Sequence, residues 1–464
     1  MIVNPVSFTS SVELPQTGQT ICYDSAGAVV GCAGTGQDGE IQAGVAWPNP
    51  RFKDNGDQTI TDKLTGLMWT KDAGTPTVSG TPTCIGGPMN WQAALDYVAC
   101  LNTNNYLGHN DWRLPNVNEL ESLVNGQSSQ ATWLTGQGFI NVPGGSYWSS
   151  YWSSTSYAVN PVDAWGVGMY DIYMYAGIVV GFHKTDLISV WPIRGGQGTL
   201  IIWRTGQTTC YDINGNVITC TGTGQDGELQ QGVSWPSPRF TDNGDQTVTD
   251  SLTNLMWTKD ASAPTVGTCA GGSKTWQGAL NYVACLNTNS YLGHNDWRLP
   301  NRKEIYSLKD FSRYNPSIPA GNPFTNVQSS SFWSSTSYAS SPSFAWYVLM
   351  WDGFVNGANK ISNNYAWPVR GGNVIPIYTV RIAGPPPIYF TSIQTAYNAA
   401  ANGNDLQIQA MEFTEDLNLA GNVTLSLDGG YDSTYSAVSG MTIVKGTMTI
   451  GGSGSAAINN MIIK

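Results

Sequence analysis

Hydrophobic residues recur along this chain with two periods, and the whole succession of periods occurs twice. In WQAALDYVACL, residues 91–101, Trp91, Ala94, Leu95, Val98 and Leu101 fall on one face of a predicted helix, with Cys100 pointing away from it. Thr59-Ile60-Thr61 alternates with the period of a strand between turn signals at Asn55-Gly56 and Thr65-Gly66. Upstream, short strands at residues 20–24 and 28–32 flank a Ser-Ala-Gly turn and predict a hairpin. After Trp112-Arg113-Leu114-Pro115, Asn116 with Glu119 three positions on predicts an N-capped second helix that buries Leu120, Leu123 and Val124. A Gly/Ser-rich stretch then leads to Trp152-Ser153-Ser154-Thr155-Ser156-Tyr157, to a strand around Ala164-Trp165, and to a closing Trp-Pro-Ile-Arg-Gly-Gly at residues 191–196.

All of these features return. CLNTNNYLGHNDWRLPN, residues 100–116, comes back at 285–301 with one change in seventeen positions, and residues 35–73 match 223–261 at 31 of 39 positions. That first stretch ends one helix, turns, buries a Trp and caps the next helix, so it reads as the structural junction of each copy. Residues 117–190 and 302–366, by contrast, differ in length and in most residues. The expected division is a tail or pairing strand at 1–16, with a strand at 6–12, a first repeat at 17–196, a linker strand at 197–204, a second repeat at 205–372, and a segment of different character at 373–464. In that last segment a helix at 392–401 precedes short apolar runs at 406–409, 416–419, 423–427, 442–444, 447–450 and 457–463, a pattern suggesting stacked rungs of a parallel β-helix. The pattern reaches Lys464 with no polar cap, and open strand edges of that kind invite another chain.

Composition places this repeat architecture outside a cytosol. Only 11% of residues are charged and 11% are aromatic, with 18 Trp and 53 Gly. The net charge of −11 argues against nucleic acid or an anionic membrane surface as partner, both of which need clustered Lys and Arg. No apolar run is long enough to span a bilayer. The opening MIVNPVSFTSSVELPQTG lacks the basic and apolar regions of an intact secretion signal, so the signal has been removed or export takes another route.

Cys22 and Cys32, then Cys84 and Cys100, recur as Cys210 and Cys220, then Cys269 and Cys285, with the same spacings. Paired sequentially, they form a disulfide framework suited to an oxidising compartment. The competing zinc site lacks a CxxC knuckle and has only His109, His183 and His294 to draw on. Asp54, Asp57 and Asp62, repeated as Asp242, Asp245 and Asp250, allow two readings, Asx turns or a calcium loop outside the EF-hand register. Arg194 and Arg370 read either as ligand contacts or as partners of a backbone carbonyl or carboxylate. His109 and His294 read as capping or hydrogen-bonding residues of the shared turn. No Ser-His-Asp arrangement and no close carboxylate pair recurs in both copies, so neither a catalytic residue nor a resident cofactor is expected.

DNGDQTITDKLTGLMW, WQAALDYVACLN, DWRLPNVNEL, WSSTSY and WPIRGG, which recur in order in both copies, resemble the Lcl C-terminal domain family of bacterial surface proteins. The resemblance implies a branch of the C-type-lectin-like fold. The Trp-x-x-Ala helix and Arg-Leu-Pro turn are also similar to formylglycine-generating enzymes, whose late reactive cysteine pair is missing here, and to ligand-display proteins diversified by retroelements. The C-terminal segment is similar to the start of pectate-lyase-like β-helices. The expected fold is thus α+β: two tandem disulfide-stapled C-type-lectin-like domains followed by a short all-β parallel β-helix-like segment.

The family further implies binding, to a glycan or a protein on another surface. Its display surface would be the segment between the second helix and the last strand. In copy one this segment carries Tyr151, Tyr170, Asp171, Tyr173, Tyr175, His183 and Lys184, and in copy two Trp351, Asp352, Phe354, Asn356, Asn359, Lys360 and Asn363. Aromatic faces for sugar C–H groups beside Asp, Asn and Lys for hydroxyls suit such ligands, although strand alternation sends some of these residues inward. The expectation is an extracellular bacterial binding or adhesion protein, non-catalytic. The rival is a structural subunit of a surface filament, self-associating through the N-terminal strand and the C-terminal β segment.

Overall fold

A computed structural model of the chain describes residues 12–145, 149–171, 176–195, 202–371, 380–384, 387–390, 392–432, 435, 437–438 and 440–464. The fold is mostly β with few helices and divides into two compact units, Met1–Asn373 and Val374–Lys464. The strand expected at 6–12 lies outside the described residues except for Val12, and so does most of the linker expected at 197–204.

Each copy in the first unit opens with an arm built on a short hairpin, Cys22–Tyr23 against Val29–Val30 and Cys210–Tyr211 against Val217–Ile218. The disulfides Cys22–Cys32 and Cys210–Cys220 close these hairpins, and Cys84–Cys100 and Cys269–Cys285 tie a loop to the long helix, all as the spacing predicts. A four-stranded antiparallel sheet follows, in which the closing strand Ile193–Gly195 returns to pair with Leu67–Thr70. Helix α1, Trp91–Thr103, starts at Asn90, whose side chain accepts from the Ala93 amide, and it buries the predicted face together with Tyr97. Helix α2, Val117–Glu121, carries the predicted capping box between Asn116 and Glu119, and Leu120, Leu123 and Val124 behind it are wholly buried. In the second copy α3, Trp276–Thr288, and α4, Arg302–Ser307, repeat both helices. Buried tryptophans rivet the elements of each copy by donating to backbone carbonyls: Trp91 to Ser153 at 2.7 Å, Trp152 to Met89 at 2.8 Å and Trp191 to Thr70 at 2.9 Å.

Three strands of the first copy, β1 (Ser150–Ser156), β2 (Asp163–Gly168) and β3 (Val179–His183), match β4 (Ser331–Ser337), β5 (Phe344–Leu349) and β6 (Val355–Asn359) of the second. Val179 of β3 pairs antiparallel with Val355 of β6, making one six-stranded sheet in the order β4-β5-β6-β3-β2-β1. Those two valines hold the same position in the two copies, each between Gly177 and Gly181 or Gly353 and Gly357. A pseudo-twofold axis therefore passes between them.

Across that axis each arm clasps the other copy. Asp38 of the first arm accepts from Thr17 at 2.5 Å and from Thr336 of the second copy at 2.7 Å, and Asp226 of the second arm accepts from Thr205 at 2.6 Å and from Thr155 of the first at 2.7 Å. Gln19 brackets the backbone of Ser337, and Gln207 that of Ser156, with amide and carbonyl both engaged at 2.8–2.9 Å. The Lys360 ammonium lies 4.0 Å over the Trp276 ring and donates to the carbonyls of Tyr23 and Asp24, while Lys184 lies 4.1 Å over Trp91 and donates to those of Tyr211 and Asp212. The hairpin tips press so close that a Cβ on Gly27 would sit 2.8 Å from the Ser343 nitrogen, and one on Gly215 3.0 Å from that of Val162. Both glycines also have positive φ, so glycine is required there for two reasons.

In the second unit, Val380–Ile382 pairs antiparallel with Ile388–Phe390 and with Asp405–Gln409, and helix Ile393–Ala399 is capped by Ser392. Strands then stack in parallel: Asp405–Gln409, Thr424–Tyr431 and Ser455–Asn459 in one ladder, Glu412–Thr414, Thr442–Lys445 and Met461–Ile463 in a second, and Leu417–Leu419 with Met448–Ile450 in a third. Like residues recur 31 positions apart, as where Ser455 meets Thr424 and Asn459 meets Asp428. Leu406, Ile408, Leu417, Leu419, Leu425, Leu427 and Val444 fill the interior. The predicted apolar runs all fall on these strands. Three strands have no counterpart among the predicted runs, Val380–Ile382, Ile388–Phe390 and Glu412–Thr414, the last with one apolar residue, Phe413, and so no period to detect.

The clasp carries a pH signature. Burial pushes the carboxyls of Asp38 and Asp226 up to about 6 from 3.8, against the pull of their threonines, and pushes Lys184 and Lys360 down to about 7 from 10.5, against Asp212 and Asp24. Between about pH 4 and 6 the folded carboxyls hold protons that the unfolded ones have lost, so stability falls as pH rises, by about 3 kcal/mol for each carboxyl. Between about pH 7 and 10 the folded lysines hold fewer protons than the unfolded ones, so stability recovers. A melting series on the whole chain should show a minimum near neutrality, and Asp38→Asn with Asp226→Asn should abolish the fall on its acid side. A melting temperature that climbs steadily from pH 4 to 7 would contradict this.

Candidate functional site

The structure separates the predicted display residues. Tyr151 is wholly buried and donates to the Ala73 carbonyl at 2.9 Å. Tyr170 is buried with its hydroxyl 2.7 Å from that of Ser150. Asp352 is buried and accepts from the Tyr157 hydroxyl and the Phe354 amide, both at 2.9 Å. Lys184 and Lys360 are wholly buried in the clasp. These five residues offer no surface to a ligand, so they are not part of the display surface implied by the family resemblance. The physical reason is that both sides of the strands are covered: Ser154 is held by Pro115 of its own copy while Thr155 reaches Asp226 of the other arm, and burial along β1 is unbroken.

Phe354 is half-buried against Tyr157 and Trp165 of the first copy, with ring centroids 5.6 and 5.4 Å away. Asp171 stays near the surface but holds the amide and hydroxyl of Thr132. Asn356 and Asn359 are half-buried and accept from the nearby amides of Gly357 and Ile361. His183, Asn363 and Trp351 are exposed. Tyr173 and Tyr175 lie outside the described residues.

Around Trp351 the structure adds a residue that the sequence reading passed over. Tyr314 is 52% exposed and Trp351 39%; among the described residues they are the only exposed Tyr and Trp. The loop bearing Tyr314 is sewn beside Trp351 because the Asn315 amide donates to the Trp351 carbonyl at 2.6 Å and the Ser317 amide to that of Met350 at 2.7 Å. The exposed residues Arg313, Asn315 and Ser329 border it, the last two hydrogen-bonded to each other. The result is a candidate platform: one exposed aromatic side chain on each of two hydrogen-bonded backbone segments, with exposed polar residues on the same loops. The matching position in the first copy, aligned by Val167-Gly168-Met169 and Val348-Leu349-Met350, is the buried Tyr170. Among the described residues, therefore, only the second copy exposes an aromatic side chain at this position. The one sequence signal for Tyr314 is a lone aromatic beside Arg313 and Asn315 in a Pro-rich loop.

Two clefts run along the clasp. One, of about 640 Å³, lies between the first arm and α3 and includes Gln37, Glu40, Gln277 and Asn281. The other, of about 480 Å³, lies between the second arm and α1 and includes Gln92, Asp96, Asn102 and Gln225. Both are of small-ligand size. Neither is visible in a single repeat, because each wall comes from a different copy.

The repeated aspartates part company. Asp54 pairs with Lys71 at 2.6 Å, Asp57 accepts from the Thr59 hydroxyl at 2.5 Å, and both oxygens of Asp62 receive the buried Arg51 guanidinium at 2.7–2.9 Å. Among the described residues no three His, Cys, Asp or Glu side chains gather as a metal site. Arg194 and Arg370 each hold a carboxylate bidentately, Asp111 and Asp296, with Nε at 2.6 and 2.7 Å. His109 and His294 stand edge-on to Trp112 and Trp297 at 5.8 Å.

The family model described as the Lcl C-terminal domain matches residues 58–194 and 246–370, one match per copy and together more than half of the chain. No curated protein and no solved structure matches the chain.

Collisional quenching of tryptophan fluorescence tests the platform's exposure. Trp351→Phe should remove the readily quenched component while moving stability by less than about 1 kcal/mol, as surface changes do. An undiminished quenched fraction would place the accessible indole elsewhere.

Proposed function

The chain belongs to the Lcl C-terminal domain family, in two tandem copies, and from that premise we propose that it is an extracellular bacterial surface protein that binds a glycan on another surface without altering it. The observation that carries this reading is the Tyr314–Trp351 platform. Two exposed rings on adjoining backbone segments supply flat apolar faces for sugar C–H groups, and Arg313, Asn315 and Ser329 at the rim suit hydroxyls. Four disulfides support an oxidising compartment, and no helix among the described residues is long and apolar enough to cross a membrane. In this reading each copy is a C-type-lectin-like variant, the second unit is a β-helix that acts as a spacer, and binding needs no resident metal or cofactor. Catalysis is not part of it, because the carboxylates of the shared turn are committed to Arg51, Lys71 and Arg194.

A second reading, a structural subunit of a filament, rests on the apolar side chains Ile458, Ile462 and Ile463 exposed along the parallel ladders.

Glycan-array screening of the intact chain should find ligands whose affinity falls about tenfold or more with Trp351→Ala or Tyr314→Ala, a loss of about 1.4 kcal/mol per ring. Binding that survives both substitutions moves the site off the platform, and ordered fibres by electron microscopy would favour the filament.

A further inference from the structure

We propose that the two copies form an obligate unlike pair: the face of each repeat that carries α2 or α4 docks one other repeat, and the charges on that face select the opposite copy and reject a like one. The capping boxes align the two helices position by position, setting Val117 against Arg302, Asn118 against Lys303 and Glu121 against Tyr306. At the pseudo-twofold axis Arg302 donates to Glu121 at 2.7 Å, and Lys303 donates to the other carboxylate oxygen and to the Glu121 carbonyl, both at 2.9 Å. Arg302 reaches further to the Gly177 carbonyl at 2.6 Å and packs 4.4 Å from the Trp346 ring. The symmetry-related contact has different chemistry, the Tyr306 hydroxyl donating to the Asn118 side chain at 2.9 Å. Glu121, Arg302 and Lys303 are all buried.

The same geometry shows what a like pair would contain. Two first copies would place each Glu121 against Val117 and Asn118, burying two carboxylates with no cation. Two second copies would place each Tyr306 against Arg302 and Lys303, burying four cations with no carboxylate. A buried charge without its partner is among the strongest penalties a protein interface can carry. Only the unlike pair neutralises Glu121, and the arms then close over it from both sides.

The test uses the whole chain with a protease site inserted between Gly198 and Thr199. After cleavage the two pieces should remain together at the mass of the intact chain. After unfolding and refolding with disulfides intact, native mass spectrometry should find unlike pairs outnumbering like pairs by at least about a hundredfold, the ratio that stranding one member of a buried ion pair implies. Pieces that drift apart, or that refold into like and unlike pairs in statistical proportion, overturn the proposal. A second measurement on the uncleaved chain does not rely on refolding. Glu121→Arg should lower the melting temperature of the first unit by several degrees, and adding Arg302→Glu and Lys303→Glu should recover at least half of the loss. Strictly additive losses would also overturn it.

Discussion

Asp38 and Asp226 hold the first unit together, because each buried carboxylate is shared by a threonine of one copy and a threonine of the other. A carboxylate in the interior is costly without donors, and here one of the two threonine donors on the Oδ2 of each aspartate comes from across the pseudo-twofold axis. Neither repeat covers both sides of its own outer strand. The Ser-Ser-Thr-Ser run of β1 is completed by the second arm and that of β4 by the first. The stacking of Lys184 and Lys360 on helix-start tryptophans, the glycine-tipped hairpins and the two seam clefts all follow from that exchange.

Duplication inside one chain usually invites comparison of the copies for ligand contacts, and here that comparison needs a second explanation. Part of the divergence lies at the axis. Val117 against Arg302, Asn118 against Lys303 and Glu121 against Tyr306 are differences that make the two faces complementary. They arise where a symmetric pair would repeat the same charge, so they report on how the copies recognise each other.

Divergence of another kind shapes the outer surface. One backbone position carries Tyr170 in the first copy, buried with its hydroxyl against Ser150, and Trp351 in the second, exposed beside Tyr314. The exposure follows from the loop at Asn315–Ser317, which pairs its amides with the backbone at Met350 and Trp351 and so holds an aromatic side chain on each of two adjoining segments. Two rings presented together by fixed backbone are a better surface for a flat apolar ligand face than either alone.

Local chemistry was legible in the residues alone. The helical face of Trp91, Ala94, Leu95, Val98 and Leu101, the Asn116–Glu119 capping box, the four sequential disulfides and the short strands of the second unit each show in residues within about sixteen positions of each other, as a period, a cap or a spacing, and the doubled organisation shows as direct self-similarity. The burial of Tyr151, Tyr170, Lys184, Asp352 and Lys360, the exposure of Tyr314, and the fusion of two copies around Val179 and Val355 left no such mark. Strand alternation sorts inside from outside only when one face meets water. Here the second face meets the other copy, through partners such as Thr336 and Asp38 that lie 298 residues apart, and that pairing is settled only when the whole chain has folded.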